Sequence, residues 1–114
     1  MKNDRVYLAH IRDALARIAE YTAAGREAFM ADPRTQDAVV RNLEVIGEAT
    51  KRVSVDIRSL APDVAWRAIS GMRDKLIHEY FGVNLEIVWR VVELELPAFG
   101  SRVDALLQMD QPSD

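Results

Sequence analysis

In the stretch Asp4-Arg5-Val6-Tyr7-Leu8-Ala9-His10-Ile11-Arg12-Asp13-Ala14-Leu15-Ala16-Arg17-Ile18, a leucine or isoleucine returns at positions 8, 11, 15 and 18. Spacings of three and four keep those side chains on one face of a helix, whereas a strand would throw them to alternate faces. The repeat predicts a helix from about Asp4 to Ala24. Gly25 interrupts it, and Asp32-Pro33 supplies the cap-plus-proline start that helices favour. A second helix follows, its core running from about Asp37 to Val53. Val39, Leu43, Ile46 and Val53 line its apolar side, while Arg41, Glu44, Glu48, Lys51 and Arg52 occupy the other side.

Ser54 to Asp63 is less regular, and Pro62 keeps Ala61 from helical geometry, so a loop or a short helical turn is expected there. A third helix is predicted from near Asp63, with Ala65, Trp66, Ile69, Met72, Leu76 and Ile77 as its stripe and Gly82 as its stop. The last helix begins behind Asn84 as a cap. It presents Val88, Val91, Val92, Phe99, Val103 and Leu106 on one face, and Pro97 should kink it. No alternating pattern of useful length competes. The expected fold is therefore all-α, an up-and-down bundle formed by one helical domain over residues 1–109 and a frayed tail over 110–114.

A chain of 114 residues can bury a core without disulfides or a structural metal. It shows no apolar run of membrane-spanning length and no charged-then-apolar leader, which leads to the expectation of a cytoplasmic protein without a membrane partner. The absence of cysteine removes thiol catalysis and cysteine-based zinc sites. The two histidines, His10 and His78, stand far apart, so no metal or other cofactor is expected. Fifteen basic against eighteen acidic side chains give a formal charge of −3, which argues against broad electrostatic binding to nucleic acid. Any RNA site must be local, and Arg67, Arg73 and Lys75 cluster in sequence near His78.

The chemistry concentrates in Arg73-Asp74-Lys75-Leu76-Ile77-His78-Glu79-Tyr80. Histidine exchanges protons near neutrality, and arginine presents a permanently charged planar fork suited to phosphate, so the pair points towards phosphodiester chemistry. Arg73 falls inside the apolar stripe of the third helix. There a charge needs a carboxylate such as Glu44 or Glu48, a carbonyl or a phosphate, or else its head must snorkel to solvent. Five residues separate Arg73 from His78, about 140° on a straight helix, so their side chains diverge on one chain. Either the helix loosens before His78 or a second subunit completes the set. A histidine near a helix C-terminus can also serve only as a dipole contact, and Tyr80 as a half-buried aromatic. Asn42 interrupts the apolar side of the second helix, where a buried amide can fix register or hold a backbone group. His10 falls on the polar side of the first helix. Glu44 and Glu48, one turn apart, read best as a solvated, arginine-paired face.

Arg73, His78 and Tyr80 together form Arg-x4-His-x-Tyr, which resembles the signature of HEPN-domain ribonuclease toxins of the HepT type. Arg41-Asn42-Leu43-Glu44-Val45-Ile46-Gly47-Glu48-Ala49, Trp66, Gly71-Met72-Arg73, His78-Glu79-Tyr80, Trp89 and Leu96-Pro97 follow the same family's order and approximate spacing, so the resemblance covers nearly the whole chain. It implies a helical bundle that forms a homodimer, with two Arg73/His78 sets lining a shared cleft in which RNA is cut without metal. It also implies a type VII-like toxin–antitoxin system, whose nucleotidyltransferase-fold antitoxin of the MntA type adenylylates Tyr80. Asn42, Glu48 and Asp74 are then site-proximal, Asp74 standing where relatives commonly carry asparagine. A competing expectation from another class is a non-catalytic helical module that binds such a nucleotidyltransferase.

Overall fold

The computed structural model describes residues 2–78 and 84–109, with the side chains of Lys2 and residues 73–78 outside that description. Among the described residues seven α-helices follow in order: α1 Lys2–Tyr21, α2 Arg26–Ala31, α3 Pro33–Lys51, α4 Val55–Arg58, α5 Trp66–His78, α6 Leu85–Arg90 and α7 Leu96–Met109. A π-helical turn, Val91–Glu95, joins α6 to α7. No strand occurs among the described residues, and none of their helices is long and apolar enough to cross a membrane. The fold is all-α, as the periodicity predicts.

The stripe on α1 behaves as its spacing requires. Leu8, Ile11 and Ile18 are fully buried, against Val39, Leu43 and Ile46 of α3 in one core with Val88, Phe99 and Val103. Truncating such a leucine or isoleucine to alanine costs roughly 2–5 kcal/mol, a large share of the ~5–15 kcal/mol that keeps a domain folded. α3 packs on α1 along one side and on α5 along the other, which makes it the spine of the bundle.

The helix starts follow their caps. The Asp32 side chain accepts from the Arg34 amide at 3.0 Å and from the Thr35 hydroxyl at 2.7 Å, with Pro33 in the first turn. The Thr35 bond holds the Asp32 carboxyl below its ordinary value, and the Arg34 amide adds to the shift. Asn84 Oδ1 accepts from the Glu86 and Ile87 amides, capping α6. Ser54 Oγ accepts from the Ile57 amide, so the irregular stretch after α3 contains one short capped helix. At the end of α3, the Arg58 guanidinium donates to the carbonyls of Thr50 and Val53 at 2.8 and 3.1 Å. The bonds tie the start of the irregular stretch to the end of α3, where the Thr50 carbonyl also accepts from the Val53 amide.

Three local features differ from expectation. Gly25, at φ 98°, lets the chain turn directly into α2, a six-residue helix that buries Phe29 against Trp89 at 5.4 Å between ring centroids. α5 begins at Trp66 rather than Asp63, because the Trp66 amide is bonded back to Val64 O and the indole to Ala61 O. Pro97, which has no N–H to donate to an earlier carbonyl, follows the π-helical turn Val91–Glu95, so the distortion takes the form of a widened turn before the proline. The expected stop at Gly82 and the tail 110–114 lie outside the described residues.

Candidate functional site

α5 is the element that bears the Arg73–His78 spacing, and its first two turns are anchored firmly. Trp66 is buried, its indole donates to Ala61 O at 3.0 Å, and its ring meets Phe99 edge to face at 5.9 Å. The helix then continues without interruption through His78. Of the two ways to reconcile Arg73 with His78, loosening of the helix before His78 is therefore not what the backbone does. The side chains of Arg73, Asp74, Lys75 and His78, and Tyr80 as a whole, lie outside the described residues.

Beside α5 runs an open apolar groove of about 460 Å³, bounded on the other side by α6, the π-helical turn and the start of α7. Ala68, Ile69 and Met72 come to it from α5, and Ile87, Val91 and Leu94 from across it. Leu94 is 66% exposed and Ile87 39%, unusual for large apolar side chains facing one concavity. Arg102 and Asp63, paired at 3.0 Å, also line the groove.

Asn42 is buried and bonded through both its oxygen and its nitrogen. Its Oδ1 accepts from Arg17 Nε at 3.0 Å and its Nδ2 donates to Ala38 O at 2.9 Å, so it fixes α3 against α1. Glu44 and Glu48 lie on the outward strip of α3, near Arg41 at 3.9 Å and Arg52 at 3.7 Å respectively, which is the arginine-paired face expected of them. No group of three or more histidine or carboxylate side chains able to hold a metal occurs among the described residues. His10 is exposed, yet it belongs to a second concavity with Tyr7 and that charged strip, a juxtaposition across two helices that sequence reasoning missed.

Sequence analysis also missed Asp4, which is buried and accepts from the Ser54 amide and hydroxyl, both at 2.7 Å. A signal existed: Asp4 stands four residues before Leu8, inside the apolar stripe of α1. Arg5 extends the same end of the bundle, donating from Nη1 to Leu107 O at 2.8 Å.

Comparison with known proteins bears on this arrangement. Residues 11–106 match the family described as Ribonuclease HepT-like, a span that includes the whole of α3 and α5. The chain is 40% identical over 106 residues to the "Probable ribonuclease HepT" of Thermococcus cleftensis, covering 92% of this chain and 96% of that protein. It is 42% identical over 112 residues to the "Putative RNase TTE0752" of Caldanaerobacter subterraneus subsp. tengcongensis, covering 97% and 100%. A third relative, "Putative RNase MJ0127" of Methanocaldococcus jannaschii, is 41% identical over 97 residues, or 84% of this chain and 80% of its own. No solved structure matches. With the family span running from α1 into α7 and the Arg-x4-His-x-Tyr motif inside it, the chain belongs to the Ribonuclease HepT-like family.

Proposed function

We propose that this protein is a metal-independent endoribonuclease that works as a symmetric homodimer and forms the toxin half of a toxin–antitoxin pair. One observation carries the reading: Arg73 and His78 sit five residues apart on a helix that stays regular through His78, within the span matched to a ribonuclease family. About 140° apart on one helix, they serve a common phosphate most readily when a second copy brings its own α5 alongside. The apolar groove bordered by Ile69 and Met72 of α5 supports such an approach, since a second copy would cover Leu94 and Ile87.

In this reading His78 takes the proton of an RNA 2′-hydroxyl, the freed oxygen attacks the adjacent phosphorus, and the bond to the 5′-oxygen breaks. A second proton, supplied by the imidazolium of one His78 or the other, goes to that leaving oxygen. The products are a 2′,3′-cyclic phosphate and a 5′-hydroxyl. Arg73 stabilises the charge that builds on the phosphate. Asn42 contributes at a distance, through its hold on α1, and Asp74, next to Arg73 in sequence, tunes the charge there, whereas Glu48 is paired with Arg52 on the outward face of α3. Tyr80, two residues beyond His78, is the site at which a nucleotidyltransferase-fold antitoxin attaches an adenylyl group, placing a bulky anion where RNA enters.

The test is RNA cleavage by freshly purified protein beside His78→Ala and Arg73→Ala, with and without EDTA. The expected result is cleavage by the wild type in either buffer, cyclic phosphate ends, and a loss of about 100-fold or more in each variant. Equal cleavage by wild type and both folded variants would remove these assignments. A folded, dimeric wild type that cuts nothing yet binds a nucleotidyltransferase would point to a non-catalytic partner module.

A further inference from the structure

Counted from Arg67 at about 100° per residue, positions 71, 75 and 78 of α5 fall about 40°, 80° and 20° away. Arg67, Gly71, Lys75 and His78 therefore occupy one side of a helix that stays regular through His78. The apolar residues take the rest of the circumference, with Trp66 in the core and Ile69 and Met72 along the groove.

Two residues on the Arg67 side have no task within this chain. Arg67 is exposed and pairs with no carboxylate among the described residues, since Asp63, one turn earlier, is taken by Arg102 at 3.0 Å. Gly71 stands in the middle of the helix, where glycine costs roughly 0.5–1 kcal/mol relative to alanine. It lacks the positive φ that favours glycine at position 25, and a Cβ built on it would meet nothing within 4 Å. Neither backbone nor packing in this chain calls for a glycine there. A bare helix surface between a free cation and the motif histidine suits a body that comes from outside and lies close along α5.

The charge on that side says what the body carries. A guanidinium without a carboxylate partner presents its planar fork to phosphate, and Lys75 adds a second cation in the same register. Asp74 falls about 20° to the other side of Arg67, so a chain of phosphates keeps to the Gly71 and Lys75 side. Eleven residues of helix separate Arg67 from His78, about 16 Å along the axis, which a few nucleotides of extended single strand can span. We propose that Arg67 holds an RNA phosphate a few nucleotides away from the bond that His78 cleaves, with the strand lying along the bare backbone at Gly71. The assignment rests on the ribonuclease reading and adds that short RNA is the poorer substrate.

The test compares cleavage of a ten-nucleotide RNA and of a dinucleotide by wild type, Arg67→Ala, Arg67→Lys and Arg12→Ala. Arg12 is an exposed arginine of α1 paired with Asp13, and its loss changes the net charge equally. Arg67→Ala should raise KM for the ten-mer roughly threefold to tenfold, leave kcat and dinucleotide cleavage unchanged, and flatten the slope of log KM against log salt by about 0.7. Arg67→Lys should recover most of the loss, and Arg12→Ala should match wild type. An unchanged KM in Arg67→Ala, an equal loss on the dinucleotide or an equal loss in Arg12→Ala overturns the proposal. Gly71→Ala separates the strand from a second copy of the chain. It should raise KM for the ten-mer at an unchanged sedimentation mass, whereas a changed mass with KM unaltered gives Gly71 to a contact between protomers and overturns the strand's path. Fluorescence anisotropy with a 2′-O-methyl ten-mer, whose blocked hydroxyl cannot attack, keeps the two readings apart. If wild type cuts no RNA, the ribonuclease reading fails. The phosphate contact then stands if Arg67→Ala alone weakens binding of that ten-mer, and falls if its affinity is unchanged.

Discussion

Replacing Asp4 with alanine tests the joint that sets α1 against the end of α3. The Asp4 carboxylate is buried and accepts two bonds of 2.7 Å from Ser54, one from its amide and one from its hydroxyl. Ser54 Oγ in turn accepts from the Ile57 amide and starts α4. Hydrogen bonds to a charged group contribute about 1.5–3 kcal/mol each, and the loss is partly offset because Ser54 retains some contact with water. Asp4→Ala should therefore cost about 2–4 kcal/mol, lowering Tm by roughly 8–16 °C at about 4 °C per kcal/mol. Ser54→Ala removes one of the same bonds together with the cap and should cost about 1–2 kcal/mol. Because the two variants share a bond, their double mutant should be less destabilised than the sum by about 1 kcal/mol or more.

The assay is urea unfolding followed by circular dichroism at one fixed protein concentration, so that any self-association affects each variant alike. An Asp4→Ala cost under about 0.5 kcal/mol, or strict additivity with Ser54→Ala, would show that the clasp does not hold the two helices together and refute the reasoning. Asp4→Asn keeps an acceptor for the Ser54 amide and should lie between wild type and alanine. Since α1 carries Tyr7 and His10 in its next two turns, the same variants should also broaden the imidazole NMR signal of His10.

The remaining expectations concern the motif and its surroundings. His78→Ala and Arg73→Ala should abolish growth arrest on expression while leaving helical content unchanged, read by plating and circular dichroism; unimpaired toxicity of both would contradict their roles. Leu94→Arg should leave the monomer folded but shift the sedimentation mass at micromolar concentration from dimer to monomer, and an unaltered dimer would place the partner on another face. With a cognate transferase and ATP, peptide mapping should find the adenylyl group on Tyr80, and an adduct on Tyr7 or Tyr21 instead would refute that assignment. The Asp32 carboxyl should titrate below its ordinary value by NMR, because Thr35 and the Arg34 amide favour its charged form. A depressed carboxyl contributes stability above the unfolded-state value and loses it as pH falls through the folded one, so Thr35→Val should move that midpoint upward.

Where side chains repeat or a cap precedes a helix, the local rules were enough. Leu8, Ile11 and Ile18 are buried as their spacing demands, and Asp32 and Asn84 cap the helices they precede. α2 escaped because six residues with one buried side chain, Phe29, are too short for a period to show. Pro97 signalled a distortion but not its form, since a missing N–H says only that one bond is absent and the surrounding packing chooses between a bend and a widened turn. The cleft between Tyr7, His10 and the α3 strip depends on how two helices lie side by side, which no single-helix pattern contains.

One class of signal reaches further than these: a polar residue inside an apolar stripe. Asp4 and Asn42 are two such residues, and each is buried and bonded to a distant part of the chain, Asp4 to Ser54 and Asn42 to Arg17. The reason is general, since a polar group drawn into the core by its position must find a partner there or cost several kcal/mol. Arg73 is the third instance, on the stripe with Trp66, Ile69 and Leu76. Asp4 is satisfied by the hydroxyl and amide of Ser54, and Asn42 by the Arg17 guanidinium and the Ala38 carbonyl. A guanidinium carries a full charge and five donors in a plane, so it needs an anion, several carbonyls or a path for its head to reach solvent. On a protein of net charge −3, an arginine at a stripe position five residues before a histidine is where the proposed reading seats the phosphate. That is why cleavage by Arg73 and His78, rather than the overall charge, is where the ribonuclease reading stands or falls.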